Sequence, residues 1–342
     1  MAFRVEVEPS GRRFTAENGE TVLDAALRQG VLLPYNCRGG TCGSCKGKLI
    51  AGRVSYEESL PSGISPGERA LGLELFCQAR AESDLRIAVR EVDAAANIPV
   101  RTLPCRVVHL ERLTEDVVRL SLKLPDTERL QFLAGQYIEF LLADGRRRPF
   151  SLANPPHDDR YLELHIRHIP GGSFTDYVFS QLKEKTLFRV HGPLGTFFLR
   201  EDSERPIILM AGGTGFAPVK AMVEHALHRG MQRPLHVYWG ARAATGLYLD
   251  RLVRSWAEAY PQVRYVPVLS EPEAGWTGAT GRVHEAVLRD FPELSGHEVY
   301  ASGPPAMVYA GRDAFLARGL PEDQMFSDAF EFTRDRGTTA ST

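Results

Sequence analysis

The feature that most narrows the folds open to this chain is a run of three cysteines in nine residues, Cys37-Arg-Gly-Gly-Thr-Cys42-Gly-Ser-Cys45, with Cys77 following after 31 intervening residues. C-x4-C-x2-C with a distant fourth cysteine is the ligand spacing of a [2Fe–2S] cluster. Two irons and two bridging sulfides need four thiolates in tetrahedral array. One tight loop supplies three, and another part of the chain closes the cage. Gly39, Gly40, Gly43 and Gly47 keep the loop small, so that backbone N–H groups can approach the sulfurs. A structural zinc site usually shows C-x2-C pairs at both ends, and only one is present here. The chain holds five cysteines, an odd number that argues against a disulfide framework. Cys105, in a predicted strand, reads as a small buried apolar residue.

The loop sits in a first block, residues 1–93. Phe3–Val7 alternates like a strand and Arg12–Thr15 reads as its hairpin partner. Thr21 caps a short helix through Arg28, with Asp24 in the capping-box position and Gly30 beyond the end. Lys46–Ile50 and Leu85–Val89 read as further strands. Val92–Pro99 is small and weakly patterned, a linker. In residues 99–202, strands recur at Cys105–Leu110, Val117–Lys123, Tyr137–Leu142, Tyr161–Ile166 and Leu187–His191, the pattern of an antiparallel barrel. In residues 203–332, apolar runs at Ile207–Ala211, Leu235–Trp239, Val263–Leu269 and Glu298–Ala301 alternate with helices near Pro218–His228, Leu247–Ala259, Arg282–Arg289 and Pro305–Arg318. That rhythm implies a parallel sheet covered on both faces. Residues 333–342 form a polar tail.

A net charge of −2 gives no footprint for nucleic acid or an anionic membrane. No run of 18 apolar residues and no signal-peptide pattern occurs, so a cytoplasmic, monomeric protein without a membrane span is the expectation.

Two further motif groups carry chemistry. Strand Ile207–Ala211 runs into Gly212-Gly213-Thr214-Gly215-Phe216-Ala217-Pro218 and then a helix. Glycines at a helix N-terminus let backbone approach a phosphate. The spacing is G-x-G-x-x-P rather than the Rossmann G-x-G-x-x-G, with Pro218 expected as the first helical residue. Upstream stands Arg148-Pro149-Phe150-Ser151. Leu133-Ala134-Gly135-Gln136-Tyr137 precedes it, and His165-Ile166-Arg167, Gly171-Gly172-Ser173-Phe174-Thr175 and Gly192-Pro193-Leu194-Gly195 follow.

On these motifs the chain resembles the ferredoxin–NADP reductase superfamily, and in particular the fused reductases whose N-terminal plant-type ferredoxin domain serves bacterial oxygenases. The CDP-6-deoxy-glucoseen reductases share the layout. The resemblance covers everything but the tail. It implies a β-grasp [2Fe–2S] ferredoxin domain, an antiparallel FAD-binding barrel and a Rossmann-like parallel α/β NAD-binding domain. It makes Cys37, Cys42, Cys45 and Cys77 the cluster ligands. Arg148 and Pro149 would sit on the flavin, Arg148 at the diphosphate or ribityl region. Phe150 would lie on the isoalloxazine ring, where the family usually has Tyr, and Ser151 near its N5 edge. His165, Ile166 and Arg167 would continue along the flavin, with Gly172, Ser173 and Phe174 facing the diphosphate.

Gly213, Thr214, Gly215 and Pro218 would hold the nicotinamide nucleotide. Ser302, Gly303 and Pro304 match the family's C-G-P-x-x-M, with Ser302 in place of the cysteine beside the nicotinamide. Phe330 is either an aromatic stacked on the flavin or a buried C-terminal phenylalanine, and Asp328 would lie at the ring's edge. Ser151, Ser302 and Asp328 are the catalytic candidates. Arg242 is a lone cation where a 2′-phosphate would need charge, and Glu271 and Glu273 are acidic, so NADH is expected over NADPH.

The implied function is electron transfer from NADH through FAD and the cluster to a partner protein, an oxygenase component or a deoxysugar dehydratase. That partner would dock near the cluster loop, Arg38–Ser44. The alternatives are a redox sensor or carrier without turnover and a flavin reductase that releases its flavin.

Overall fold

Alternating burial along Phe3–Glu8 puts Val5 and Val7 inward, and those two residues seed the first core. A computed structural model describes residues 2–57, 59–95 and 97–330; the expected tail at 333–342 lies outside them. Phe3–Glu8 pairs antiparallel with Arg13–Ala16 and parallel with Leu85–Ala88. Lys46–Ala51 and Leu73–Leu75 complete a five-stranded sheet. Helix Val22–Arg28 lies in the grip of this sheet with Val22, Leu23, Ala25 and Ala26 buried. Thr21 Oγ1 accepts from Asp24 N at 3.1 Å, so the cap forms. The Asp24 carboxylate does not close a capping box; it pairs with Arg38 beside the cluster loop.

The second block is a six-stranded antiparallel barrel in the order Arg147–Ser151, Tyr137–Leu141, Leu187–Leu194, Arg101–Arg112, Val117–Lys123, Leu162–Arg167. An antiparallel bridge between Leu152 and Leu164 joins the two ends. Leu103, Val107, Leu120, Leu122, Ile138, Phe140 and Leu164 fill the interior. Cys105 is buried among them, and burial pushes its thiol up to about 12, which fits an inert packing role.

The third block is a six-stranded parallel sheet in the order Ala279–Thr280, Val263–Leu269, Leu235–Ala241, Ile207–Gly212, Glu298–Gly303, Met325–Ala329. Ile207–Gly212 and Glu298–Gly303 are buried along their full length, as central parallel strands must be. The chain order reverses between these two neighbours. The crevice beyond their carboxyl ends is therefore the switch point at which such sheets bind ligands. The helix after the first strand runs Phe216–His228, so Pro218 stands third rather than first. The first four N–H groups of a helix lack partners, so the proline still costs no hydrogen bond. The helix expected from Leu247 begins at Asp250, after a 3-10 turn at Ala244–Gly246.

The ferredoxin block packs on the parallel-sheet block through its cluster loop and on the barrel block through Tyr35 and Asn36 just before it. Ser44 Oγ donates to Ser327 O at 3.1 Å, and Tyr309 Oη donates to Thr41 O. Cys42 shares an apolar cluster with Met210, Val308 and Ala329 of the parallel-sheet block.

Candidate functional site

The thiols of Cys37, Cys42, Cys45 and Cys77 fall into two pairs. Cys42 N donates to Cys37 Sγ at 3.3 Å and Thr41 Oγ1 to the same sulfur at 3.6 Å. A hydrogen bond from the Cys42 thiol is the main reason that Cys37 is held down at about 5, while the same bond and burial push Cys42 up. The Cys45 thiol is raised likewise, first by its bond with Cys77 and then by burial. Cys42, Cys45 and Cys77 are all buried. Among the described residues no group of three or more His, Cys, Asp or Glu is arranged around a single metal ion. Two thiol pairs fit a cluster of two irons, each iron taking two thiolates.

Cys37 also reaches the wall of a cavity of about 300 Å³ between the three blocks. Arg148, Pro149, Phe150 and Ser151 line it from a barrel edge strand, which the motif itself forms. His165 and Arg167 line it from strand Leu162–Arg167, and Gly172 and Phe174 from the start of helix Ser173–Ser180. Thr214 contributes from the glycine turn, Asp328 from strand Met325–Ala329 and Phe330 from just after it.

Asp328 is fully enclosed in this wall. Its Oδ2 accepts from Ser151 Oγ at 3.0 Å and its Oδ1 from Asn36 Nδ2. Burial pushes its carboxyl up to about 7 against the pull of these two hydrogen bonds, and negative charge on Cys37 adds to the rise. Asp328 can therefore hold or release a proton near neutral pH.

His165 is buried, with Nε2 2.8 Å from Glu163 Oε1 and Nδ1 3.0 Å from Tyr248 Oη. Burial lowers its pKa, which keeps the ring neutral. Burial works against Glu163, but the His165 hydrogen bond and the Lys220 charge outweigh it and hold the carboxyl at about 2. Lys220, itself buried, donates to Ala153 O at 3.1 Å and to Glu224 at 2.9 Å. This polar chain ties the nucleotide helix to the barrel.

Arg167 gives the most direct indication of a ligand. Its Nη1 pairs with Asp116 at 3.3 Å, while Nε and Nη2 are buried without a hydrogen-bond partner. A Cβ on Gly213 would lie 3.4 Å from Nη2, so the orphaned donors face the glycine turn. Buried cationic donors beside a glycine turn suit an anionic diphosphate.

Other sequence candidates stand away from the cavity surface. Ile166 points into the barrel core, and Ser173 accepts from Arg146 at 3.2 Å outside the cavity. Gly213 and Gly215 form a 3-10 turn, Pro218 is buried in the helix behind it, and Pro304 caps helix Pro305–Leu316. Gly215 packs against the Ser302–Gly303 backbone so closely that the two turns touch. Ser302 is wholly buried opposite Asp328 on the neighbouring strand, and its hydroxyl favours the charged form of that carboxyl. Arg242 is exposed, directly after strand Leu235–Ala241, and does not line the cavity. Sequence reasoning missed Asn36, Lys220 and Tyr248. The only available signal for Asn36 was its place beside Cys37.

Comparison with known proteins agrees module by module. Residues 5–82 match the 2Fe-2S iron-sulfur cluster binding domain, 104–199 the oxidoreductase FAD-binding domain and 209–313 the oxidoreductase NAD-binding domain. The chain is 44% identical over 330 residues to a CDP-6-deoxy-L-threo-D-glycero-4-hexulose-3-dehydrase reductase of Yersinia pestis, covering 96% of this chain and 99% of that one. It is 35% identical over 336 residues to reductase component 1 of a terephthalate 1,2-dioxygenase from Comamonas sp, covering 96% and 98%. The crystal structure of an Amycolatopsis cytochrome P450 reductase superimposes with a TM-score of 0.76 at 37% identity, covering 96% and 98%.

Proposed function

Because the chain belongs to the family of ferredoxin-fused flavoprotein reductases, which pass electrons from NAD(P)H through FAD and a [2Fe–2S] cluster to a partner, we propose that its partner is a dehydrase acting on a CDP-linked 6-deoxyhexulose. The observation that carries this choice is the 44% identity to the hexulose dehydrase reductase over almost the whole of both chains, against 35% for the dioxygenase reductase. An oxygenase component is the second reading, favoured by the full-length superposition on the P450 reductase.

Bound flavin takes two electrons from the nicotinamide as a hydride and yields them singly, which is what joins a two-electron donor to a one-electron cluster. The residues around the cavity bind, orient and shield. Arg148 and the N-terminus of helix Ser173–Ser180 hold the diphosphate. Phe150 and Phe330 supply ring faces. Ser151 Oγ and Asp328 Oδ2 keep a proton in their shared hydrogen bond at the cavity wall. Arg167 and the turn Gly213–Gly215 receive the nucleotide phosphates. Cys37, Cys42, Cys45 and Cys77 hold the cluster. NADH is the donor, because Glu271 N donates to Arg242 O at 2.9 Å, which sets an acidic residue next to the cation beyond the nucleotide crevice.

The working division is 1–93, 99–202 and 203–332, in one monomeric cytoplasmic chain. Among the described residues no helix is long and apolar enough to cross a membrane. The partner meets the cluster beside Gly39. The Thr41–Ser44 half of the expected docking loop is packed on the third block, and Gly39 is its exposed position. Reconstitution tests the reading: with NADH and a CDP-6-deoxyhexulose dehydrase the protein should sustain reduced sugar product. Failure there, with turnover alongside an oxygenase component, would transfer the assignment to the second reading.

A further inference from the structure

Between the first helix and Cys37 runs a short segment whose contacts no cofactor requires. Tyr35 and Thr196 lock in both directions: Tyr35 N donates to Thr196 Oγ1 at 2.9 Å, and Thr196 N donates to Tyr35 O at 2.8 Å. One residue on, Asn36 is 3% exposed. Its carbonyl accepts from Tyr137 Oη at 2.9 Å, and its Nδ2 donates to Asp328 Oδ1. The other oxygen of Asp328 accepts from Ser151. A single residue, adjacent in sequence to a cluster cysteine, thus joins the barrel through its backbone carbonyl and the last strand of the parallel sheet through its side chain.

Gly195 makes room for it. The glycine has φ +86°, and a Cβ there would stand 2.5 Å from Asn36 Oδ1 and 2.8 Å from the Tyr137 ring. Both the backbone conformation and the close approach exclude a side chain at this point. Asn also suits the position chemically. Ala would leave Asp328 Oδ1 buried with one partner fewer, and Asp would set a second carboxylate against the first.

We infer that Asn36, seated on Gly195 and bonded to Asp328, is a positioning residue that sets the cluster end of the ferredoxin block against the flavin cavity and so governs how fast electrons pass between the two cofactors. The inference rests on the flavin-to-cluster route but is separable from it, since loss of a cluster cysteine abolishes the route whatever Asn36 does.

The test uses the loaded full-length protein with Asn36→Asp, Asn36→Ala and the reversed pair Asn36→Asp/Asp328→Asn. Anaerobic stopped-flow with NADH follows flavin bleaching and cluster reduction separately. Hydrogen exchange reads the Tyr35 and Thr196 amides. Losing one buried charge-assisted hydrogen bond should slow cluster reduction about tenfold relative to flavin bleaching in Asn36→Asp. The two amides should exchange faster, with the cluster's paramagnetic signal unchanged. The reversed pair restores a donor facing an acceptor and should recover slow exchange at the Tyr35 and Thr196 amides. Should Asn36→Asp lose its iron, Asn36→Ala is read by the same ratio and exchange criteria. A parent-like ratio in the single variants, equal slowing of both steps, or no recovery in the reversed pair would each overturn the inference.

Discussion

Gly215→Ala probes the point where the nucleotide crevice is tightest. A Cβ on Gly215 would lie 2.7 Å from Gly303 N and closer still to the Ser302 carbonyl, whereas ordinary contact begins at 3.4 Å. Clearing the nearest of these atoms, the Ser302 carbonyl oxygen, requires the two turns to part by more than about 1 Å, and both obstacles are backbone, which cannot rotate aside. Overpacking of this kind costs about 1–3 kcal/mol, and the rigidity of two adjacent parallel strands puts it near the upper end. Gly215 itself sits at φ −58° and ψ −11°, which alanine adopts freely. The substitution therefore gains about 0.4–1 kcal/mol through the unfolded chain. The steric effect wins by about 2 kcal/mol, a drop in Tm of roughly 4–8 °C. Because the displaced turn is the one proposed to receive the nucleotide phosphates, kcat/KM for NADH with ferricyanide as acceptor should fall by about tenfold, with KM bearing most of it. Gly296→Ala is the control: nothing lies within 4 Å of its Cβ position, so Tm and kinetics should stay at parent values. Parent-like Tm and kcat/KM in Gly215→Ala would show that the two turns do not touch as described.

Three further outcomes are expected. Cys42→Ala should abolish cytochrome c reduction and keep most ferricyanide reduction, since it breaks one iron's thiol pair and leaves the flavin cavity intact; loss of both activities would show that the two modules are inseparable. Asp328 binds its proton up to about pH 7 when folded but only to 3.8 when unfolded, so its contribution to stability falls as pH rises from 4 to 7, by up to about 4 kcal/mol. The Tm of Asp328→Asn relative to the parent should accordingly climb over that range and level off above it, and a flat difference would refute the elevated carboxyl. Initial rates should favour NADH over NADPH, and equal rates would remove Arg242 and Glu271 from any account of nucleotide choice.

What the sequence revealed and what it hid follow from the range of the interactions. The candidate cluster ligands are legible because Cys37, Cys42 and Cys45 share one loop, where spacing is itself geometry. The parallel sheet is legible because a strand buried on both faces, such as Ile207–Gly212, is a continuous apolar run. Arg147–Ser151 was not readable as a strand: it carries Pro149 and two arginines. It pairs fully only with Tyr137–Leu141, and such an edge strand admits proline. Met325–Ala329 has no period-2 alternation either; its extended form comes from pairing with Glu298–Gly303, and that pairing is what delivers Asp328 to the cavity. The least legible contact is the one on which the further inference turns. Asn36 and Asp328 are 292 residues apart; Asp328 is marked only through the family resemblance, and Asn36 has no local pattern of its own. Each block of this chain can be read alone because its own core dictates its periodicity. A hydrogen bond between blocks leaves no period, only a polar side chain that must be buried and must find a partner. A buried polar residue beside a metal-ligand loop is therefore the signal to seek in the sequences of similar fused chains, with a glycine of positive φ opposite it as its structural counterpart.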